Sequence, residues 1–301
     1  MTETNSDPLD ICIPHWGDPG YLREAVASVL AQSDPRWRLT VIDDATPGDE
    51  ARIFLEGLGD DRIAYVKKTV NEGITANFRS CVEAASHPFV TVMGNDDLLL
   101  PGYVATVLRA GAAYPGIDVI QPGVRVIDEA GSETSTLVDT VKQRLLRPRS
   151  ERPVLLSGDR LGASLMHGDW LYWPSLAFRT ETIRRFAFRD EFAIIQDLAL
   201  LMDMFFAGAR LLVLPETVFA YRRHDESASS TLILDGRRFA GEREYFALAS
   251  SLAAEHGWPR TRRAAGLRIT SRAHALSVVP RALLAGKPAA AGRLLRHALG
   301  T

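Results

Sequence analysis

The chain has 301 residues, of which 46% are hydrophobic, and a formal net charge of -2 at pH 7. This length and apolar content suffice for a large folded domain and exclude the disordered and low-complexity classes. The most apolar window, 198–214, contains two charged residues and a glycine, so we expect no membrane-spanning helix. The polar start of the chain and its two cysteines, at 12 and 81, suggest a cytoplasmic protein without a disulfide framework.

The amino-terminal third of the chain alternates short apolar runs with helical periodicity. Strands are predicted at 10–14, 38–42, 62–66 and 89–93, and helices at 19–32, 51–58, 74–85 and 101–114. Strands that alternate with helices of about ten to fifteen residues indicate a mostly parallel α/β sheet flanked by helices. Ligands of such sheets bind beyond the carboxyl ends of the strands.

Acidic pairs follow two of these strands. Asp43 and Asp44 end the second strand, and Asp96 and Asp97 follow the fourth within VMGNDDLLLP. Asp and Asn favour turns, so each pair is open to interpretation as a solvated turn. Both pairs should nevertheless meet at one sheet edge, where they suit a metal and a phosphorylated ligand. The backbone N–H groups of segment 71–73, which precedes a helix, should point into the same crevice.

Six segments occur in order with suitable gaps: DICIPHW, VIDDATPGD, NEGITANFRS, VMGNDDLLLPGYV, IIQDLAL and YRRHDESAS. Together they resemble the family-two glycosyltransferases with the GT-A fold, over about residues 8–230. The absence of GxGxxG and P-loop motifs agrees with this resemblance. It implies a GT-A-type (Rossmann-like) catalytic domain over 1–234, followed by a helical basic extension over 235–301.

The resemblance also implies a donor site. Pro14 and His15 would pack on the nucleoside base, and Asp44 would hydrogen-bond it. Two arginines after the last strand would pair bidentately with the diphosphate. The remaining predicted donor contacts are Asn71, Gly73, Asn77, Asn95, Asp96, Arg222 and Arg223.

For the cofactor, the resemblance implies a divalent metal, Mn²⁺ or Mg²⁺, held by Asp96, Asp97 and His224. The family's acidic motif commonly reads Asp-Ser-Asp-Asp, whereas this chain has Gly94 at the leading position. Mg²⁺ usually needs only one or two carboxylates, because phosphate oxygens and water complete its coordination. We therefore expect a weak site that fills together with the nucleotide sugar.

The predicted catalytic residue is Asp197. On its own it would be an acid in the first turn of a helix, where the helix dipole favours it. By resemblance it occupies the base position of the family's Glu-Asp motif, with Gln196 replacing the Glu. An inverting transfer needs one carboxylate to take the proton of the acceptor hydroxyl.

Two further segments bear on the acceptor. HGDWLYWP concentrates aromatic residues, which usually form core, but Asp169, Trp170 and Trp173 also suit a sugar and fall where the family shapes its acceptor pocket. Segment 132–152 has mixed charge and little periodicity. We expect it to be a flexible excursion over the acceptor or a featureless surface loop.

The carboxyl-terminal region is basic. Residues 235–301 carry 12 Lys and Arg against 4 Asp and Glu, whereas 1–234 sum to -10. Basic amphipathic helices suggest peripheral contact with the inner face of a membrane, and packing against the catalytic domain or a second subunit is the alternative. Nucleic acid is not expected, because basic and aromatic residues are not interleaved.

The predicted function is transfer, with inversion, from a nucleotide-diphosphate sugar to a saccharide or lipid-linked acceptor of a bacterial surface glycan. UDP is favoured as the nucleotide and dTDP comes next. A natural-product glycosyltransferase with a small-molecule acceptor is one alternative. A non-catalytic sugar-nucleotide-binding protein is another, because Gly94 and Gln196 depart from the family pattern. A nucleotidyltransferase is disfavoured, because segment 14–17 lacks a basic glycine-rich loop.

Overall fold

A computed structural model describes residues 7–192, 194–224 and 237–300. Within these ranges one sheet contains nine strands. The strands are β1 (Leu9–His15), β2 (Trp37–Asp43), β3 (Ile63–Lys67), β4 (Phe89–Val92), β5 (Leu98–Leu99), β6 (Val119–Ile127), β7 (Val154–Leu156), β8 (Ala177–Arg179) and β9 (Leu211–Arg222).

The sheet is parallel in its amino-terminal half and mixed elsewhere. Its order is β3-β2-β1-β4-β8-β6-β9-β5, with β7 on the same side of β9 as β5. β1 pairs in parallel with β2 and β4, and β2 with β3, which agrees with the predicted alternation of strands and helices. β6 and β9 are also parallel, whereas β5, β7 and β8 run antiparallel to their neighbours. The carboxyl ends of β1, β2, β4, β6 and β9 therefore lie at one edge.

The first four helices begin and end near their predicted positions. In the described ranges the helices are α1 (Pro19–Leu30), α2 (Glu50–Gly57), α3 (Ile74–Ala84), α4 (Tyr103–Ala113), α5 (Leu137–Val141), α6 (Gly158–His167), α7 (Thr180–Ile183), α8 (Gln196–Phe206), α9 (Arg237–Glu255), α10 (Pro259–Leu267), α11 (Ile269–Leu284) and α12 (Pro288–Leu299). The start of α1 shows the local cause: Asp18 accepts the N–H of Gly20 at 2.8 Å, and Pro19 occupies the first turn.

Apolar side chains bury both faces of the sheet. On β1, Leu9, Ile11 and Ile13 belong to the core beneath α1, α2 and α4, whereas Cys12 belongs to the core shared with α3, α6 and α8. This alternation follows from the two-residue period of a strand. The sheet is thus a middle layer between helices.

The carboxyl-terminal helices divide between two cores. Tyr245 of α9 is fully buried against Phe192, with ring centroids 5.2 Å apart, and α10 packs on α6. α11 and α12 instead form a small core around Phe239. The predicted boundary between residues 234 and 235 lies outside the described residues, so the division into two domains stays a prediction. In the described ranges no helix has the length and hydropathy that a membrane crossing requires.

Segment 132–152 differs from its prediction as a flexible or featureless loop. It forms α5, which continues as a π-helical turn, Lys142–Leu146. A capping box holds the start of α5, because Thr136 accepts the N–H of Asp139 while the Asp139 carboxylate accepts the N–H of Thr136. The side chain of Leu146 packs on the main core. Hydrophobic periodicity misses an element this short, because one turn shows no repeat.

Gly123 gives a test of the contact between β6 and β9. An added Cβ there would lie 2.8 Å from the carbonyl oxygen of Glu216, next to a register shift between the strands. We expect Gly123→Ala to lower the free energy of unfolding by about 1–3 kcal/mol in urea titrations. Gly57→Ala is the control, because a Cβ there meets no atom within 4 Å and the residue ends α2. Equal midpoints for the two variants would contradict this reading of β6.

Candidate active site

The crevice lies at the sheet edge formed by the carboxyl ends of the parallel strands. His15 ends β1, Asp44 follows β2, the acidic loop 94–97 follows β4, and Arg222 ends β9. The structure thereby brings together segments that are up to about two hundred residues apart in the chain. This is the edge at which open α/β sheets bind ligands.

Asp44 shapes the loop in front of α3. Its carboxylate accepts the N–H of Glu72 at 3.1 Å and that of Gly73 at 2.8 Å. Asn71 also accepts the N–H of Gly73, at 3.0 Å, and Gly73 has φ +86°, a conformation that favours glycine. Lys68 lies 3.4 Å from Asp44 and offsets its charge. These bonds fix the loop, and a base contact of Asp44 stays a prediction.

The end of β1 presents both a buried and an exposed ring. Pro14 and His15 are buried, and Nε2 of His15 has no hydrogen-bond partner in the described ranges. Burial lowers the pKa of His15 more than Asp43 raises it, so the imidazole is neutral at pH 7. Asn95 lies 3.5 Å from its Nδ1. Trp16, to which the sequence analysis gave no role, is 61% exposed beside the crevice. The signal was an aromatic residue immediately after a strand.

Asn77 is placed inside the fold. It is 2% exposed in α3, and its side-chain amide donates to the carbonyl of Ile42 at 2.9 Å. This bond fastens α3 to the end of β2. The burial argues against the predicted contact with the donor, because the side chain faces the interior rather than the crevice.

The acidic loop meets the chain that leaves β9. Asp96 lies 2.8 Å from Nε2 of His224, and both side chains are partly exposed. Asp97 is 1% exposed and accepts the backbone N–H of Arg222 at 2.9 Å. Burial, and then the charge of Asp96, raise the pKa of Asp97 well above its usual range. Asp96 is therefore the accessible carboxylate, and Asp97, predicted as a metal ligand, instead holds the end of β9.

Gly94 leaves room for this arrangement. A Cβ at this position would lie 2.6 Å from one carboxylate oxygen of Asp96 and 2.7 Å from one of Asp97. Any larger residue would require at least one of these carboxylates to shift. The glycine thus allows both carboxylates to lie close to the backbone of position 94.

The predicted role of Arg222 as a diphosphate ligand is corrected, because the structure gives its guanidinium a structural role. Its guanidinium donates to the carbonyls of Asp96 at 2.7 Å and Glu129 at 2.8 Å, and pairs with Glu24 at 2.6 Å. Its side chain is 1% exposed and stacks over Tyr21. These partners occupy the donors that a diphosphate would need.

Arg223 points to the other side and pairs with α5. Its guanidinium binds the carboxylate of Asp139 bidentately, at 2.7 and 2.6 Å, and Tyr172 donates to the same carboxylate at 3.0 Å. Burial alone would raise the pKa of Asp139, but the hydrogen bonds from Arg223 and Thr136 outweigh it and lower the pKa to about 2. Sequence analysis missed Asp139, because its partner lies 84 positions away.

Asp197 lies in the first turn of α8, partly exposed, and accepts the N–H of Leu198 at 2.8 Å. The neighbouring Gln196 is 7% exposed and accepts the hydroxyl of Thr75 at 2.6 Å. Because Thr75 belongs to α3, this bond sets the start of α8 beside the loop that Asp44 fixes. Asp197 is thereby brought near the crevice, where its role as a base stays a prediction.

The aromatic segment is mostly core. Trp170 is fully buried and donates to Ser164 at 3.1 Å, and Trp173 packs on Phe178 with ring centroids 4.9 Å apart. Both tryptophans are corrected from acceptor contacts to core residues, because their rings fill the space between sheet and helices. Asp169 is partly exposed and accepts the N–H of Leu171 at 3.0 Å, so its acceptor role stays a prediction.

The described residues of this crevice offer a divalent metal only part of its ligands, so a bound substrate would have to supply the others. Within 7–192, 194–224 and 237–300, no group of three His, Cys, Asp or Glu residues is arranged around a common point. Asp96 and His224 nevertheless offer one carboxylate and one imidazole side by side. Such a pair suits an ion that also takes phosphate oxygens. Ser227, which follows His224 within the segment YRRHDESAS, lies outside the described residues.

Comparison with known proteins agrees with this architecture. The model of the glycosyl transferase family 2 matches residues 10–158. The GalNAc(5)-diNAcBac-PP-undecaprenol beta-1,3-glucosyltransferase of Campylobacter jejuni is 28% identical over 104 residues, which are 34% of this chain and 33% of that protein. The uncharacterized protein MT1568 of Mycobacterium tuberculosis is 23% identical over 248 residues, 78% of this chain and 73% of that protein. The chain spans less than half the length of several curated relatives that it matches.

Among solved structures, S. aureus TarS 1-349 in complex with UDP-GlcNAc matches with a TM-score of 0.64 at 14% identity, over 97% of this chain and 90% of that one. At this identity the likeness concerns the fold alone. The protein is therefore an α/β protein of the GT-A type with a helical carboxyl-terminal region. Its residues 10–158 are those of a family-2 glycosyltransferase.

The Asp139–Arg223 pair predicts a pH-dependent stability. Because the pKa of Asp139 is lower in the folded chain than in the unfolded one, the pair stabilises the fold above about pH 4 and loses this effect as the pH falls towards 2. Arg223 is one-third exposed, so we expect Asp139→Asn to cost only about 1–2 kcal/mol in urea unfolding at pH 7, and less at pH 3.

Asp190→Asn is the matched control, because Asp190 pairs with Arg79 at the surface and is 72% exposed. It should lower the free energy of unfolding by less than about 0.5 kcal/mol at either pH. A cost of Asp139→Asn that is independent of pH would contradict the assignment.

Proposed function

We propose that this protein transfers a sugar from a nucleotide-diphosphate sugar to a hydroxyl group of a saccharide or lipid-linked acceptor, with inversion at the anomeric carbon. The observation that carries the proposal is the Asp96–His224 pair at the carboxyl edge of the sheet, in a chain of this family. The accessible carboxylate and Asp44 follow β4 and β2 of the same parallel sheet, and the bond from Thr75 to Gln196 ties the start of α8 to α3.

In this proposal each residue of the chain has a distinct task. Asp197 takes the proton of the acceptor hydroxyl as its oxygen attacks the anomeric carbon, and the bond from that carbon to the diphosphate breaks with its electrons on the diphosphate. Trp16 and His15 offer ring surface to the nucleoside base. Asp96 and His224 would hold Mn²⁺ or Mg²⁺, which offsets negative charge on the departing diphosphate.

The donor and acceptor classes rest on the relatives. Solved structures of TarS contain UDP-GlcNAc and UDP, which favours a UDP-sugar over a dTDP-sugar. The Campylobacter relative is named for an undecaprenol-linked acceptor, which favours surface-glycan synthesis over natural-product tailoring. A non-catalytic sugar-nucleotide-binding protein is the second candidate, supported by Gln196, whose side chain is tied to Thr75.

Calorimetric titration with UDP, dTDP and GDP, with and without Mn²⁺, tests the donor site. We expect UDP to bind most tightly and only with metal, and Asp96→Asn to weaken that binding about tenfold or more. Asp197→Asn should retain the affinity for UDP but lower the release of UDP from UDP-sugars with acceptor by about 10²–10⁴-fold.

Two results would change this proposal. If Asp197→Asn left turnover intact, the assignment of the base would be wrong. If UDP bound as expected while no UDP-sugar released UDP with any saccharide or lipid-linked acceptor, the non-catalytic candidate would replace the enzyme.

We also propose peripheral contact with an anionic membrane, from its cytoplasmic side. Ile269, Leu276 and Leu283 recur every seven residues along α11 and are each 55% exposed, and α11 and α12 together contain four arginines and no acidic residue. An exposed apolar stripe on helices of net positive charge suits the surface of an anionic bilayer. The alternative occupant is a second subunit.

Vesicle sedimentation tests this contact. The protein should sediment with phosphatidylglycerol vesicles but not with phosphatidylcholine vesicles, and the double variant Leu276→Asp/Leu283→Asp should stay in the supernatant. Ile53→Asp is the control, because Ile53 is 63% exposed on α2. Equal sedimentation of both variants would rule out the stripe as the contact.

A further inference from the structure

A cavity lies along β9, away from the candidate active site. β7 pairs with β9 at residues 211–213 and β5 pairs with it at 219–220, on the side opposite β6. Between these short strands, the chain that follows the π-helical turn 142–146 closes over the edge of β9. It leaves a cavity of about 160 Å³.

Three arginines line this cavity: Arg147, Arg149 and Arg152. Arg147 donates from one terminal nitrogen to the carbonyl of Leu214 at 2.6 Å, whereas its Nε is buried without a hydrogen-bond partner in the described ranges. In that part of the chain none of the three arginines forms a salt bridge with a carboxylate. Buried cationic groups are normally paired or hydrogen-bonded, so the Nε of Arg147 lacks the partner that a buried guanidinium nitrogen usually has.

The lining is suited to a small oxyanion. Guanidinium groups present planar pairs of donors that match phosphate oxygens. Ser150 also lines the cavity, and its oxygen accepts the N–H of Arg152 at 3.1 Å, which leaves the hydroxyl proton to be donated. Burial lowers the pKa of Arg147, and a bound anion would oppose that effect.

We propose that this cavity binds a phosphate group through Arg147, Arg149 and Arg152. The phosphate is either a free phosphate ion or a phosphodiester within a larger molecule, such as a polymer or a lipid headgroup. The site does not depend on the proposed transferase activity, because its residues are separate from Asp96, His224 and Asp197.

Titration calorimetry with inorganic phosphate, in the presence of EDTA, tests the site. The variant Arg149→Gln/Arg152→Gln removes two exposed side chains, so it should fold normally. We expect it to weaken phosphate binding about tenfold or more, because each charge-assisted hydrogen bond to an anion is strong. The matched control is Arg144→Gln, which removes the same charge from an exposed position of the same segment outside the cavity. It should leave the affinity unchanged.

Two results would overturn the proposal: no binding of millimolar phosphate by the unaltered protein, or equal affinity in the double variant and the control. Equal affinity is also the result expected if phosphate bound at the candidate active site instead of the cavity, because that site is unchanged in both variants. Competition by dimethyl phosphate distinguishes the sources. If it displaces phosphate, the site accepts a diester within a chain, and if only inorganic phosphate binds, the ligand is the free ion.

Discussion

The candidate site depends on one buried guanidinium, that of Arg222. Its donors reach the backbone of Asp96 in the loop after β4, the backbone of Glu129 in the turn after β6, and the side chain of Glu24 on α1. A cation so far from water is tolerated only when its N–H groups are hydrogen-bonded. Two loops and a helix that are distant in the chain must therefore keep one mutual arrangement, and this arrangement orients the acidic loop.

The side chains at the end of β9 point alternately to two sides. Successive side chains of an extended chain point in opposite directions. Accordingly Arg222 and His224 reach the acidic loop, where His224 meets Asp96, whereas Arg223 between them reaches Asp139 on α5. The end of β9 thus contacts both the accessible carboxylate of the crevice and α5.

The sequence predicted the frame of the molecule better than its contacts. The strands β1 to β4 follow from local signals, because apolar runs, prolines and acidic strand ends are visible within a few residues. The convergence of Asp44, Asp96 and His224 follows from sheet topology together with the family resemblance. The buried states of Arg222 and Trp170 do not follow, because they depend on partners far away in the chain. The sequence alone does not show whether a protein carbonyl or a diphosphate accepts the hydrogen bonds of an arginine.

Gly94 illustrates how a departure from a family motif can be explained by charge and space. Asp97 is already buried beside Asp96, and burial first, then the charge of Asp96, raise the pKa of Asp97 well above its usual range. A third carboxylate at position 94 would have to enter space where even a Cβ lies 2.6 Å from an oxygen of Asp96. It would add negative charge to a loop whose Asp96 is already paired with His224. With glycine, the loop folds back on itself and leaves one accessible carboxylate beside an imidazole. Such a site is poorly suited to retaining a metal ion alone, and better suited to one that arrives with the charge of a diphosphate.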